Sequence, residues 1–150
     1  MKLAIVRQSY TPFGGAERFV ERAVEALNRS DLSLTIVARR WRGAPTHRVL
    51  RCDPFHLGRT WRDASFARCV QKLIAEQRFD IVQSHERIAG CDVFRAGDGI
   101  HATWLELRSR AGGSLSRLGQ ALSPWHRYTL AAEAAMFADP RLRAVICNSR

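Results

Sequence analysis

The hydrophobic positions of this chain fall into short runs separated by longer amphipathic stretches. Leu3-Ala4-Ile5-Val6 is a compact apolar run closed by Arg7 and polar residues and followed by Phe13-Gly14-Gly15, which predicts a buried first strand leading into a glycine loop. From Ala16 to Leu27 the apolar residues Ala16, Phe19, Val20, Ala23, Val24 and Leu27 recur at helical spacing, while Glu17, Arg18, Glu21, Arg22 and Glu25 fill the other face. A second apolar run, Leu34 to Ala38, has the β-branched content of a buried strand, and Arg48 to Cys52 is a weaker third candidate. Residues 64–75 carry Phe66, Ala67, Val70, Leu73 and Ile74 on one helical face, and Phe79 to Val82 opens another strand. Asp92 to Ala96 and Ala144 to Cys147 complete the strand candidates, with a long helical region between them that is broken near Gly112-Gly113 and at Pro124. Repeated strand-helix units in this order predict an α/β, Rossmann-like fold with a doubly wound parallel sheet. In such sheets ligands bind beyond the carboxyl ends of the strands.

Composition narrows the picture. The 150 residues, 46% of them hydrophobic, suffice for one domain with a real core. There is no internal repeat and no Pro-, Gln- or Ser-rich tract. The opening MKLAIVR lacks the long apolar stretch of a secretory signal, and no run approaches the length needed to span a bilayer. Cys52, Cys69, Cys91 and Cys147 stand far apart without metal-ligand spacing, so buried, reduced thiols in a cytoplasmic protein are the expectation. The net charge of +10 and pI near 10.9 favour acidic partners: nucleic acid, an anionic membrane or a phosphorylated substrate. Lysine occurs only at positions 2 and 72, so nearly all of this charge is Arg.

Several strand ends carry chemistry. Phe13-Gly14-Gly15-Ala16-Glu17-Arg18 joins a turn without Cβ atoms to a helix start whose free N–H groups suit an anion, although its spacing is not that of a dinucleotide fingerprint. Ser84-His85-Glu86-Arg87, Gly97-Asp98-Gly99 and Asn148-Ser149-Arg150 follow later strands and should converge with Gly14 and Gly15 on one rim. Each also has a plain explanation: Asp98-Gly99 as a turn pair, His85 as a structural histidine, Asn148-Ser149 as a helix cap.

The opening strand with Tyr10-Thr11-Pro12-Phe13-Gly14-Gly15-Ala16-Glu17-Arg18, the segment Gly90-Cys91-Asp92-Val93-Phe94-Arg95-Ala96-Gly97-Asp98-Gly99 and the closing Val145-Ile146-Cys147-Asn148-Ser149-Arg150 together resemble the N-terminal half of glycosyltransferase family 4. The likeness is nearest to the subgroup that adds glucose to a heptose of the lipopolysaccharide core. The resemblance implies a GT-B enzyme that retains anomeric configuration without a metal or cofactor, with a UDP-sugar such as UDP-glucose as donor and a glycolipid or other glycan as acceptor. It maps the donor-diphosphate loop onto Gly14 and Gly15 and the acidic residue near the reacting centre onto Asp98. Glu17, Arg18, His85, Glu86, Arg87 and His101 are then the expected acceptor and cleft residues. It also implies that residues 1–150 form the acceptor-side domain and that the nucleotide-sugar-binding domain is not part of this chain. By itself such a half should fold without transferring sugar.

Between residues 101 and 130, Trp104, Leu105, Leu107, Leu115, Leu118, Leu122, Trp125 and Tyr128 interleave with Arg108, Arg110, Arg117 and Arg127, and Glu106 is the only acid. This pattern predicts either a surface that faces an anionic membrane or an ordinary core stripe beside a solvated Arg face. A peripheral position at the inner face of the cytoplasmic membrane is the matching localisation. The alternatives, a basic nucleic-acid-binding module or another nucleotide-binding α/β domain, lack support: no helix-turn-helix, zinc, RNA-binding or Walker pattern is present, and no nucleic-acid partner is expected.

Overall fold

The computed structural model describes residues 1–10, 32–41, 48–111, 119 and 121–147. In chain order the described elements are β1 (Lys2–Tyr10), β2 (Ser33–Trp41), β3 (Arg48–Arg51), α1 (Gly58–Gln77), β4 (Ile81–Ser84), β5 (Val93–Ala96), α2 (His101–Ala111), α3 (Pro124–Phe137) and β6 (Ala144–Cys147). The strands form one sheet in the order β3-β2-β1-β4-β5-β6, and all pairs are parallel. The order runs outward in both directions from β1, as a doubly wound Rossmann-like sheet requires, and its switch point lies between β1 and β4.

The alternation along the strands separates two cores. Ala4, Val6, Val37, Val82, Phe94 and Ala96 join Phe66, Val70 and Ile74 of α1 and Met136 of α3 in the larger cluster. Leu3 and Ile5 face the other way, packed with Leu32, Leu34 and Ile81. Phe66, Val70 and Ile74 follow one another at four-residue spacing, so one stripe of α1 is buried along its length. That helix ends at Arg78, whose φ of 47° turns the chain toward β4. Pro124 at the first position of α3 and a hydrogen bond from the His126 N–H to Ser123 start the third helix.

Every predicted strand is present; β6 keeps its predicted bounds and the others have shifted ends. β1 and β2 run on to Tyr10 and Trp41 because their ladder continues through Ser9↔Arg40 and Tyr10↔Trp41. β5 begins at Val93 rather than Asp92, where the paired register with β4 and β6 starts. Asp92 stands at its entry, its backbone bonded to Val82 and Ala144 and its carboxylate accepting the Val82 N–H at 2.9 Å and the Arg141 guanidinium at 3.3 Å. β6 is an edge strand, exposed at Val145 and Ile146. The predicted helix from Ala16 to Leu27 lies outside the described residues.

The cysteines correct one expectation. Cys52 and Cys69 form a disulfide that ties the exit of β3 to the middle of α1, Cys91 is a buried free thiol and Cys147 an exposed one. Residues 17 apart in sequence meet here because α1 folds back over β3, a proximity that spacing along the chain does not show. Among the described residues no helix is long and apolar enough to cross a membrane.

Candidate active site

The carboxyl ends of β1, β4 and β5 lie side by side, and register decides which side chains they present. Val6 pairs with Ser84, and Ser84 with Phe94, so Arg7, His85 and Arg95 follow at one level of adjacent strands. Burial and the positive charges of Arg7 and Arg95 pull the His85 imidazole down to about 4, which keeps it neutral at pH 7.

One residue further along, the chain turns to the helix-covered side. The Gln8 N–H donates to Glu86 Oε1 at 2.9 Å, and the Gln8 side-chain amide donates to Asp63 Oδ1 of α1, also at 2.9 Å. Trp125 of α3 donates its indole N–H to Asp63 Oδ2 at 2.8 Å. Burial raises the Glu86 carboxyl above its ordinary range; the bond from Gln8 opposes this, and the nearby charges of Asp63 and Asp98 add to it. Burial acts on Asp63 in the same direction, but hydrogen bonds from Gln8, Trp125 and Arg62 outweigh it and hold that carboxylate low. Two acids on one network are thus pushed apart, one toward the protonated form and one ionised. Gln8, Asp63, Glu86, Arg87 and Trp125 line a cleft of about 50 Å³, room for a few waters but not for a sugar ring. It forms the floor of a site rather than the whole of one.

A second arrangement holds the loop that carries Asp98. Glu133 of α3, 3% exposed, accepts the N–H groups of His101 and Ala102 at 2.8 and 3.0 Å and the Arg87 Nε at 2.8 Å. The other arm of Arg87 donates to the Gly99 carbonyl at 3.0 Å. The first turn of α2 is therefore capped by a carboxylate from another helix, and the loop from Gly97 to Ile100 is fastened at its far end. Asp98 itself is exposed, and Gly99 beside it has a φ of 74°, a conformation that suits glycine.

His101 is buried in an aromatic cluster. Its Nε2 and the His126 Nδ1 lie 3.0 Å apart, so one donates and the other accepts. The ring stacks on Trp104 at 5.6 Å and meets Trp125 edge-on at 5.2 Å. The Arg59 guanidinium covers the Trp125 ring at 3.4 Å, and Arg108 lies 4.9 Å from the Trp104 centroid. Burial first, and then neighbouring positive charges, lower the basicity of both histidines.

The structure thus gathers His85, Glu86, Arg87, Asp98 and His101 on one rim. Gly14, Gly15, Glu17 and Arg18 lie outside the described residues, as does Arg117. Trp104, Arg108 and Arg110 are exposed on α2, with Arg110 paired to Glu106 at 2.6 Å, whereas Trp125 is partly buried and bonded inward. Gln8, Asp63 and Glu133 belong to the site and carried no signal in the sequence. Asp63 lies just before the helical stretch predicted at 64–75 and Glu133 within the long helical region before the last strand, and only helix packing turns them inward.

A model of Glycosyltransferase Family 4 matches residues 13–150. The chain belongs to glycosyltransferase family 4. Among solved structures it is similar to WaaG, described as a glycosyltransferase involved in lipopolysaccharide biosynthesis, with a TM-score of 0.78 and 23% sequence identity. The likeness covers 95% of this chain and 37% of that one, so the chain spans well under half of the WaaG structure. At that identity the likeness shows a shared fold, the Rossmann-like half of a GT-B architecture. No curated protein matches the sequence.

Proposed function

We propose that this chain is the acceptor-side half of a retaining glycosyltransferase that moves glucose from UDP-glucose to a glycolipid acceptor of the lipopolysaccharide-core type. The observation that carries the reading is the rim itself: in a family 4 fold, Asp98 stands at the end of β5 close enough for its charge to raise Glu86 at the end of β4. A sugar acceptor needs its hydroxyl oriented and relieved of a proton as the glycosidic bond forms, and the donor needs positive charge stabilised on the sugar ring. Asp98 supplies the exposed carboxylate for this, and the Arg87–Glu133 pair fixes its loop. Glu86, with His85 neutral beside it, offers hydrogen-bonding groups to acceptor hydroxyls, and Arg87 and His101 hold the wall. Backbone N–H groups at Gly14 and Gly15 would meet the departing diphosphate, with Glu17 and Arg18 next to them.

Trp104, Leu107, Arg108 and Arg110 of α2 form the outward part of a membrane-facing surface, at the cytoplasmic side where a lipid-anchored acceptor is reached. The exposure of Trp104 and of Leu107 supports this placement. Trp125 serves that surface from within, as a pinned support.

The deciding experiment is Asp98→Asn in an enzyme that carries both domains. Turnover should fall by orders of magnitude, while stability changes by less than about 0.5 kcal/mol because the side chain is exposed. Near-normal turnover would reduce Asp98 to a turn former. The 150-residue chain alone should transfer no sugar from UDP-glucose, since both substrates must be held together across a cleft.

A further inference from the structure

The loop between β3 and α1 carries an apolar tip that neither the sheet nor the rim uses. Phe55 is 73% exposed, Leu57 68% and Trp61 43%, and the Phe55 and Trp61 rings meet edge to face at 5.6 Å. Exposed apolar side chains on a loose loop would collapse onto the nearest surface, but this loop is held from beneath. Arg39, 3% exposed, donates to Asp53 Oδ1 at 3.0 Å, to the Pro54 carbonyl at 3.0 Å and to the Arg62 carbonyl at 2.7 Å. Its Nη1 also lies 2.9 Å from His56 Nδ1. The Cys52–Cys69 disulfide anchors the start of the same loop. A buried guanidinium with this many partners organises the segment and leaves its apolar residues pointing outward.

The surroundings of the tip are positive. From residue 51 to residue 63 the charged residues are Arg51, Asp53, Arg59, Arg62 and Asp63. Asp53 is paired with Arg39 and Arg51, and Asp63 with Arg62, so the excess positive charge rests on Arg51 and on Arg59, which stacks on Trp125. Leu57 sits at the start of α1 with no capping side chain, and the first turn has no acid, so the positive end of a 20-residue helix is not neutralised there. The tip is tied to α2 from within: Arg59 lies over Trp125, Trp125 meets the buried His101, and His101 stacks on the exposed Trp104.

We propose that Phe55, Leu57 and Trp61 form a membrane-inserting tip that enters the interfacial layer of an anionic bilayer, with Arg51 and Arg59 at headgroup level. Aromatic rings and leucine settle at that depth, and arginine beside them meets lipid phosphates. The choice of a lipid surface as occupant rests on the membrane reading of α2. The tip makes that contact two-pointed and orients the rim toward the bilayer.

Vesicle sedimentation of the chain tests this, with phosphatidylcholine vesicles containing or lacking phosphatidylglycerol. Three forms are compared: wild type, Phe55→Ser with Leu57→Ser, and Arg108→Ser with Arg110→Ser. All replaced side chains are exposed, so each variant should keep the wild-type circular dichroism spectrum. Wild type should partition onto the phosphatidylglycerol vesicles, and the tip variant should lose about tenfold or more of its partition coefficient. Removal of α2 arginines should cost about fivefold for each one. Wild-type binding by the tip variant together with loss in the α2 variant would overturn the tip and leave the α2 reading standing. The reverse pattern would remove α2 and keep the tip. Equal binding to vesicles lacking phosphatidylglycerol, or a lipid-free dimer that the tip variant dissociates, would overturn the assignment to an anionic surface.

Discussion

Replacing Glu133 with glutamine takes one negative charge out of a nearly closed site while keeping the size of the side chain. The carboxylate accepts three hydrogen bonds, from two N–H groups at the start of α2 and from the Arg87 guanidinium. Its side chain is 4% exposed and that of Arg87 is 20% exposed, so solvent screens the pair only in part. Removing one partner of a buried ion pair costs roughly 3–5 kcal/mol. The partial exposure of Arg87, its remaining bond to Gly99 and the amide oxygen of glutamine recover some of this, which leaves about 2–3 kcal/mol of expected destabilisation. For a domain of this size that is a fall in Tm of about 6–10 °C. The pH dependence adds a signature that lost packing would not produce. Burial alone would raise the Glu133 carboxyl above 4.5, but the bonds from Arg87, His101 and Ala102 outweigh it and the folded value is lowered. A lowered folded value means that the stabilisation is complete above about 4.5 and is lost as pH falls through the folded value. Urea denaturation followed by circular dichroism at pH 7 and at pH 3 should therefore show a large gap between wild type and Glu133→Gln at pH 7 that narrows in acid. A loss below about 0.5 kcal/mol at pH 7, or a gap that does not change with pH, would refute the capping role.

Other expectations follow from single features of the fold. Unfolded protein kept free of reductant should show two titratable thiols, from Cys91 and Cys147, and four after reduction; four from the start would show that Cys52 and Cys69 are not joined. Reduction should lower stability by about 3 kcal/mol in denaturant titrations, the entropy of a closed loop of this size, and an unchanged midpoint would contradict it. The His85 ring, held down to about 4, should keep its neutral NMR shifts from pH 8 to pH 5; since its folded value is below the ordinary 6.5, it contributes stability above 6.5 that is lost as pH falls toward 4. A midpoint above 6 for His85 would refute the burial argument. Phe66→Ala, at a residue with no exposed surface, should cost about 3–5 kcal/mol in the same urea titrations, and a loss under 1 kcal/mol would contradict its central place in the core.

The alternation of apolar runs and amphipathic stretches was enough, by itself, to determine the fold class. The inner strands β1 and β2 are visible as short apolar runs, because a strand buried in a parallel sheet must be apolar on both faces, whereas the outer β3 is only weakly marked and β6 is apolar though exposed. The stripe of Phe66, Val70 and Ile74 marks α1 by burial along one face. The strand-end rule alone puts His85, Glu86, Arg87 and Asp98 on one rim, since topology sets every carboxyl end of a parallel sheet on the same side. Strand ends were less legible because they depend on partners: β1 and β2 extend one another, and the paired register of β5 starts only at Val93. Side-chain pairing was decided only in the tertiary structure. Glu133 reaches the start of α2 from 31 residues away, Gln8 joins Asp63 across 55, and Arg39 gathers the loop that presents Phe55 and Leu57. The disulfide belongs with these, because Cys52 and Cys69 meet only when α1 lies back across β3. Burial patterns are written into a chain position by position, through the cost of leaving apolar surface in water. Which carboxylate meets which N–H depends on how helices settle on the sheet, and that geometry exists only once the core has formed.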